Sequence, residues 1–417
     1  MNIINARLRG QTSLYSIRVE QGVFTAIEPQ TATLSPSASP SEIDAQGNLV
    51  CAPFVEPHIH LDAVLTAGQP KWNQSGTLFE GIERWSERKP QLTPEDIEQR
   101  VLKTVQLLVE NGVQYIRTHV DVTDPSLTAL KTIAGLKEKL SKVIELQIVA
   151  FPQEGICSFP NGKQLMEQAI EHGADVIGGI PHFEFTREYG VESMHWVVAL
   201  AKQHGLLVDV HCDEIDDEAS RFLEVLATAA LEQDMGERVT ASHTTAMHSY
   251  NNAYCSKLFR LLKKSKINFV SCPTESIHLQ GRFDTYPKRR GVTRVKELRE
   301  AGMNVCFAQD SIQDPWYTLG NGKLLRVLDA GLHICHMMGY RDLSTALDLI
   351  TINGAKTLQV EQQYGIEEGK PANFIILQGC DDLAVIQQQG EVLYSVRQGE
   401  ILVQRQPASL LRTTHLS

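Results

Sequence analysis

The sequence predicts an α/β fold in which a (β/α)8 barrel of the TIM type is joined to a small β-sandwich. Apolar strand patterns alternate with amphipathic helix patterns through the middle of the chain. Shorter strand patterns separated by turns lie at both ends, and polar side chains stand where the middle strands stop. These observations predict three segments: residues 1–52 as the N-terminal part of the sandwich, 53–365 as the barrel, and 366–417 as its C-terminal part with a tail.

Size and composition are those of one large domain with a smaller one, since 42% of the 417 residues are hydrophobic. The formal net charge of −11 would repel a phosphate backbone, which excludes nucleic acid and favours a small-molecule partner. Neither a secretory signal nor an apolar run of about 18 residues is present, so we expect a cytoplasmic protein without a membrane partner. The eight cysteines contain no CxxC pair, which is typical of reduced, mostly buried thiols.

Both ends of the chain are predicted to be rich in strands. Residues 8–27 suggest short strands with a turn at Gln21-Gly22, and 35–41 form a loop rich in Ser and Pro. Strand patterns near the other end cover residues 372–377, 392–396 and 400–403, before a tail from about residue 406. Because domain termini often lie close together, we expect the two sets of strands to pair as one small sandwich.

The middle of the chain repeats a strand followed by a helix. In one unit, Thr93 is a candidate N-cap, Pro94 suits the first helical position, and Gly112 ends the helix. Helical spacing is kept between them by Ile97, Val101, Val105, Leu108 and Val109. The candidate barrel strands cover residues 50–58, 115–122, 144–151, 174–180, 206–211, 238–243, 267–272 and 304–310. Eight apolar strands alternating with helices predict a closed parallel barrel.

Polar side chains cluster where these strands stop, and the carboxyl ends of barrel strands form the active-site face. His58 and His60 end the first strand, His211 the fifth, His243 the sixth and Asp310 the eighth. Alternate residues of a strand share a face, so both histidines of the first strand can point to the barrel axis. Three imidazoles with one carboxylate suit Zn(II) or Fe(II) and leave a position for water.

Longer motifs resemble the bacterial cytosine deaminases of the amidohydrolase superfamily. They are FVEPHIHLD at 54–62, NQSGTLFEG at 73–81, AFPQEG at 150–155, HCDEIDDE at 211–218, ASHTTAMHSY at 241–250, HLQGRFDTYP at 278–287 and DPWY at 314–317. The resemblance therefore extends through most of the barrel. It implies hydrolytic deamination of a cytosine-type base, one catalytic iron or zinc ion per chain, homo-oligomers and a flanking β-sandwich.

The resemblance also implies roles for individual residues. The metal ligands would be His58, His60, His211 and Asp310. Glu214 would be the proton shuttle and His243 a partner of the water molecule. Gln153 would read the edge of the base, and the backbone near Leu78 would shape the pocket with Trp316.

The chemistry of the residues agrees with these roles. A metal supplies the strong nucleophile that attack on an aromatic amidine carbon needs near neutral pH. Glu214 stands three residues after a ligand, where a carboxylate can take the water proton and return it to the ring nitrogen and the leaving amine. Gln153 can donate and accept on neighbouring atoms, which matches the amide edge of cytosine.

Other readings of the chain are less consistent with its residues. Binuclear relatives use a carboxylated lysine on the fourth strand, but that strand runs here into Pro181-His182-Phe183-Glu184. The unrelated zinc deaminases carry HxE followed by PCxxC, and no PCxxC follows residues 182–184. A non-catalytic barrel that binds a nucleobase stays an alternative, although the shuttle and water-binding residues are present.

Two departures from the family concern the substrate. Cytosine deaminases usually carry a second aspartate after the metal-binding one, whereas this chain has Asp310-Ser311. In the family that residue faces the C5 side of the pyrimidine, so Ser311 favours 5-methylcytosine, with cytosine and isoguanine as alternatives. Residues 271–276 (SCPTES) also replace a more apolar stretch that contains Asn.

Overall fold

A computed structural model of the chain describes residues 1–37, 39 and 41–408. Two positions of the predicted loop at 35–41 and the last nine residues of the predicted tail lie outside the described part. The described residues form two compact units. The larger contains Phe54–Leu108 and Val113–Gln362, and the smaller contains Met1–Pro53, Val109–Gly112 and the residues from Gln363 onward.

Sixteen strands are present among the described residues. They are β1 Asn2–Leu8, β2 Leu14–Glu20, β3 Val23–Pro29, β4 Glu42–Asp44, β5 Leu49–Cys51, β6 Phe54–Ile59, β7 Val113–Asp121, β8 Glu145–Phe151, β9 Val176–Gly179, β10 Leu207–Cys212, β11 Val239–His243, β12 Asn268–Ser271, β13 Val305–Phe307, β14 Phe374–Leu377, β15 Val392–Arg397 and β16 Glu400–Gln404.

Helices follow most strands of the larger unit. The α-helices are α1 Leu78–Arg88, α2 Pro94–Glu110, α3 Thr128–Leu140, α4 Gly162–Glu171, α5 Arg187–His204, α6 Phe222–Glu232, α7 Asn252–Ser265, α8 Pro273–Leu279, α9 Val295–Glu300, α10 Leu324–Ile334, α11 Tyr340–Leu343, α12 Ile352–Thr357 and α13 Asp382–Gln388. Short 3-10 helices cover Lys89–Gln91, Pro181–Phe183, Gly236–Arg238, Thr245–His248 and Ala346–Ile350. Across the described residues, no helix combines the length and the apolar character that a membrane span requires.

The larger unit is a parallel barrel whose eight described strands follow chain order from β6 to β13. Its ends meet through a parallel bridge between Ile59 and Asp310, where the Asp310 N–H donates to the His58 carbonyl at 3.0 Å. The strands are buried on both faces, as a parallel sheet covered by helices requires. The predicted barrel is confirmed.

The helix predicted after Thr93 forms as α2. The Asp96 N–H donates to Thr93 Oγ1 at 3.2 Å, which caps the first turn. Pro94 is the first helical residue, and Gly112 takes a positive φ of 86° after the helix.

The smaller unit is built on a mixed sheet with the order β16-β15-β14-β5-β1-β2-β3, and β4 also pairs with β1. Strands from both ends of the chain meet where β14 pairs with β5, as the predicted pairing of the two ends required. A buried apolar cluster that includes Ile3, Phe24 and Phe374 forms the hydrophobic core beside this sheet.

Two strand predictions were wrong in detail. The predicted strand 50–58 is two strands in two sheets, because Pro53 has no N–H to continue the ladder. Strand β1 begins at Asn2, whereas the first strand pattern was predicted from residue 8. Asn5 weakens the β pattern there, yet it is accommodated at a bulge where its side chain donates to Asp44 Oδ1 at 2.8 Å.

Candidate active site

The carboxyl ends of the barrel strands converge on one cavity. His58 lies near the end of β6, His211 near the end of β10, and His243 is the last residue of β11. Residues predicted for the site that line this cavity are His60, Leu78, Gln153, His211, Glu214, His243, Asp310, Ser311 and Trp316. The tenth, His58, is fully buried beside the rings of His60 and His211. The barrel therefore brings together residues that are up to 258 positions apart in the chain, the separation of His58 and Trp316.

Four of these side chains direct ligand atoms at one another. His211 Nε2 lies 3.2 Å from His58 Nε2 and 3.2 Å from His60 Nε2. Asp310 Oδ1 lies 3.5 Å from each of the same two nitrogens, those of His58 and His60. Three imidazoles and one carboxylate are a donor set typical of Zn(II) or Fe(II).

A hydrogen-bond chain behind His58 fixes the direction of its lone pair. His58 Nδ1 lies 3.0 Å from Ser242 Oγ, which donates its own proton to Asp209 Oδ1 at 2.6 Å. Asp209 is in turn bound by Arg117 Nη1 at 2.9 Å. Because the Ser242 proton is committed to Asp209, His58 must donate from Nδ1, and Nε2 presents its lone pair to the cluster. This arrangement fits a bound divalent cation.

Burial sets the protonation of the cluster. It lowers the pKa of His60 to about 4 and holds the pKa values of His58 and His211 well below their ordinary range. Burial also raises the pKa of Asp310, and neighbouring Asp314 raises it further. Neutral imidazoles are the form that binds metals, so these three histidines could hold a metal ion.

Glu214 and His243 form a second pair beside the ligand atoms. Glu214 Oε1 lies 3.6 Å from His243 Nδ1, and the other oxygen of Asp310 lies 3.9 Å from the same nitrogen. Burial raises the pKa of Glu214 well above its ordinary value, and the charge of Asp310 adds to that rise. Both ring nitrogens of His243 are buried, and neither has a hydrogen-bond partner among the described residues. A carboxyl that readily holds a proton thus stands next to an imidazole that is free to bind a substrate or water.

The backbone is strained where two of these side chains leave their strands. His243 has φ 65° and Asp310 has φ 66°, in the left-handed region that residues with a Cβ rarely adopt. Such strain costs about 1–3 kcal/mol and persists where the surrounding structure requires it. Both residues line the cavity, so this strain lies at the candidate site.

The cavity has an aromatic wall and an amide. Trp316 lies in a buried cluster with Ile82 and Trp85. The main-chain N–H of Trp316 donates to Asp314 Oδ1 at 3.0 Å. Gln153 is buried two residues after β8. The loop that carries it is anchored by the next residue, Glu154, which accepts from Lys89 Nζ at 2.6 Å.

The HxE sequence at 182–184 has a different role from that in zinc deaminases. Glu184 accepts hydrogen bonds from the backbone N–H groups of Ile156, Cys157 and Ser158, so its carboxylate organises a loop. His182 lines the cavity, and burial lowers its pKa to about 4. His182 stands three residues after the fourth barrel strand, in the 3-10 helix Pro181–Phe183, and no lysine occurs between that strand and Glu184.

Several functional neighbours were not singled out from the sequence. His119 lies near the end of β7, and its ring packs on that of His58 with the centroids 3.8 Å apart. It was missed although it stands near a strand end, as the predicted histidines do. Asp209 stands two residues before His211 on the same face of the strand. This spacing was a sequence signal that Asp209 lies near the site. Glu275 lines the cavity from α8, and its only sequence signal was the unusual stretch at 271–276.

Comparison with known proteins identifies the relatives of this chain. The sequence pattern of the amidohydrolase family matches residues 41–403. The structure of 5-methylcytosine deaminase from Klebsiella pneumoniae liganded with 5-fluorocytosine is 61% identical, covers 99% of both chains and superposes with a TM-score of 0.97. The same protein liganded with phosphonocytosine gives the same identity and TM-score over 99% of this chain and 100% of that one. N-isopropylammelide isopropyl amidohydrolase from Pseudomonas sp. strain ADP is 31% identical over 407 residues, which are 96% of each protein.

Proposed function

Because this chain belongs to the amidohydrolase family, we propose that it is a metal-dependent hydrolytic deaminase of cytosine-type bases, with 5-methylcytosine as its principal substrate. In that reaction water replaces the exocyclic amine at C4, and the products are thymine and ammonia. One observation carries the substrate class: the 61% identity with the Klebsiella pneumoniae 5-methylcytosine deaminase extends over 99% of both chains.

The proposed metal site consists of His58, His60, His211 and Asp310. When bound there, one divalent cation would lower the pKa of water and supply a nucleophile near neutral pH. The hydrogen-bond chain from His58 through Ser242 to Asp209 supports this assignment, because it orients an imidazole lone pair toward the other ligand atoms.

Glu214 is the proposed proton shuttle. Its raised pKa suits a carboxylate that takes a proton from water and holds it until a ring nitrogen accepts it. Protonation of that nitrogen draws electrons from C4, so the C4–O bond can form. Glu214 then takes the proton of the hydroxyl group now on C4 and passes it to the exocyclic nitrogen, so C4=O forms as the C4–N bond breaks and neutral ammonia leaves. His243, 3.6 Å from Glu214, is placed to hydrogen-bond the oxygen that is added at C4.

Gln153 and Trp316 are the proposed binding residues on the remaining walls, together with Leu78. The Gln153 amide donates and accepts side by side, which matches the N–H and C=O of a pyrimidine amide edge. Trp316 offers a flat apolar face to the ring. Ser311, short and uncharged, leaves room for a methyl group at C5, where an aspartate would place a solvated charge.

The experiment that tests this function measures ammonia release from cytosine, 5-methylcytosine, isoguanine, isocytosine, adenine and creatinine. We expect 5-methylcytosine to give the highest kcat/KM, followed by cytosine. Absence of ammonia from every pyrimidine would refute the proposal. Faster release from isoguanine or from cytosine would identify an alternative deaminase reaction at the same site.

Some finer expectations stay predictions. Iron or zinc as the native metal is tested by elemental analysis of protein purified without added metal. Association of copies into a homo-oligomer is tested by light scattering, and the limits of the barrel at residues 53 and 365 by limited proteolysis. A cytoplasmic location is tested by cell fractionation.

A further inference from the structure

Glu275 is a buried carboxyl in the cavity wall to which the proposed reaction assigns no role. It lies in the first turn of α8, is 1% exposed, and lines the cavity together with Ser311. Its Oε2 atom has no hydrogen-bond partner among the described residues. A buried carboxyl oxygen without a partner is costly, so a native structure that keeps one calls for an explanation.

The barrel topology tells which part of a substrate this wall meets. In the strand order of the barrel, β8 is the third strand and β12 the seventh, so the segments that follow them stand on opposite sides of the mouth. Gln153 follows β8 and Glu275 follows β12. A pyrimidine whose amide edge, N1–H and C2=O, is held by Gln153 turns the opposite edge, C4 and C5, toward Glu275 and Ser311.

The two residues form one polar corner. Ser311 and Glu275 both line the cavity, and the Ser311 hydroxyl lowers the pKa of the Glu275 carboxyl, which burial raises well above its ordinary value. Asp310, Asp314 and Glu214 are the other carboxyls that act on Glu275. A methyl group at C5 fits this corner by size but offers Oε2 no hydrogen bond. A hydroxyl both donates and accepts, so it can pair with this carboxyl in either protonation state.

We propose that Glu275 and Ser311 form a C5 subsite for a hydrogen-bonding substituent, so that 5-hydroxymethylcytosine is a further substrate and Glu275 its specificity-determining residue. This inference rests on the proposed deaminase function. Water attacks C4, the C4–N bond breaks, ammonia leaves, and the product is 5-hydroxymethyluracil. The substituent at C5 takes no part in bond changes, so the reaction needs no group beyond those already described.

The test compares 5-hydroxymethylcytosine with 5-ethylcytosine, since the two substituents have the same number of heavy atoms and differ in the hydroxyl. We expect the wild-type enzyme to favour the hydroxymethyl base in kcat/KM by about ten- to a hundredfold, as one buried hydrogen bond provides. Glu275→Leu removes the acceptor and should bring the ratio close to one or reverse it. Glu275→Gln keeps a hydrogen-bonding end of the same size and should retain the preference within a few fold.

Thr274→Val is the matched control, because Thr274 is the preceding buried residue of α8 and does not line the cavity. It should leave the ratio of the two bases unchanged. A wild-type enzyme that deaminates 5-methylcytosine but treats the hydroxymethyl and ethyl bases alike overturns this inference and leaves the proposed function intact. An equal loss of activity on both bases in Glu275→Leu, with the wild-type ratio of their kcat/KM values preserved, has the same meaning. If Glu275→Leu does not fold, the wild-type comparison decides alone, and inactivity on all pyrimidines refutes the proposed function itself.

Discussion

Gly81 lies against the indole of Trp316, and a Cβ added at position 81 would come within 2.4 Å of Cδ1 of that ring. The glycine is helical, within α1, so its backbone does not require glycine. Contact with the indole is therefore the structural reason for the missing side chain. Through it, helix α1 determines where the aromatic wall of the cavity stands.

Gly81→Ala should displace Trp316 and lower kcat/KM for 5-methylcytosine by about tenfold or more, since misplacement of a binding wall by about 1 Å can reduce activity a hundredfold. The helix itself should not weaken, because alanine is favoured over glycine in helices by about 1 kcal/mol. Gly135→Ala in α3 is the matched control, as its Cβ would meet nothing within 4 Å. It should keep wild-type kinetics. Unchanged kinetics in Gly81→Ala would show that Trp316 does not shape the binding site.

His60→Ala and Asp310→Ala should each lose bound metal and abolish turnover, because each removes one of four proposed ligands and opens the coordination sphere. Elemental analysis of the purified variants, beside the wild-type protein, measures the loss. Wild-type protein should contain one divalent ion per chain. Two tightly bound ions per chain would contradict a single-metal site.

Glu214→Gln should retain the metal and bind the base while turnover falls by at least about a hundredfold, the contribution typical of a general acid–base residue. The amide keeps the size and hydrogen bonding of the carboxyl but cannot carry a proton. Binding is measured by titration with 5-fluorocytosine and turnover by ammonia release. Turnover close to wild type would remove Glu214 from the mechanism.

His278→Asn should alter how stability depends on pH. Burial, with the charge of Arg282, lowers the pKa of His278 to about 4 in the folded protein, against about 6.5 in the unfolded chain. Between these two pH values only the unfolded chain binds the proton. The contribution of His278 to the free energy of unfolding is therefore complete above pH 6.5 and is lost as the pH falls toward 4. As the pH is lowered from 7 to 4.5, the urea midpoint of the wild-type protein should therefore approach that of the variant or fall below it. A difference between the two midpoints that stays constant over this pH range would contradict the lowered pKa of His278.

The barrel and its candidate ligands were predictable because both follow from local patterns. Strand and helix periods alternate along the chain, and strand ends must meet at one face, so His58 and Asp310 could be placed together from sequence. Glu275 could not be placed, since a carboxyl in a short helix after a strand is usually solvent-facing and its burial depends on packing. Pro53, which divides one predicted strand into two, was visible in the sequence, but which sheet each half joins is decided by distant partners.

Ser311→Asp should depress activity on 5-methylcytosine far more than on cytosine, with metal content unchanged. Serine leaves space near C5, and filling that space with a methyl group is worth only about 1–3 kcal/mol, so the wild-type preference over cytosine should be about tenfold to a few hundredfold. A restored aspartate would reject the methyl group more strongly, because a steric clash acts together with the loss of water from a charge. Ser311→Asn supplies the same volume without the charge and should lose less activity on 5-methylcytosine. Steady-state kinetics on both bases, with elemental analysis of each variant, measures these effects. Equal losses on the two bases, or a wild-type enzyme that is fast on cytosine and inert toward 5-methylcytosine, would show that Ser311 does not set the preference at C5.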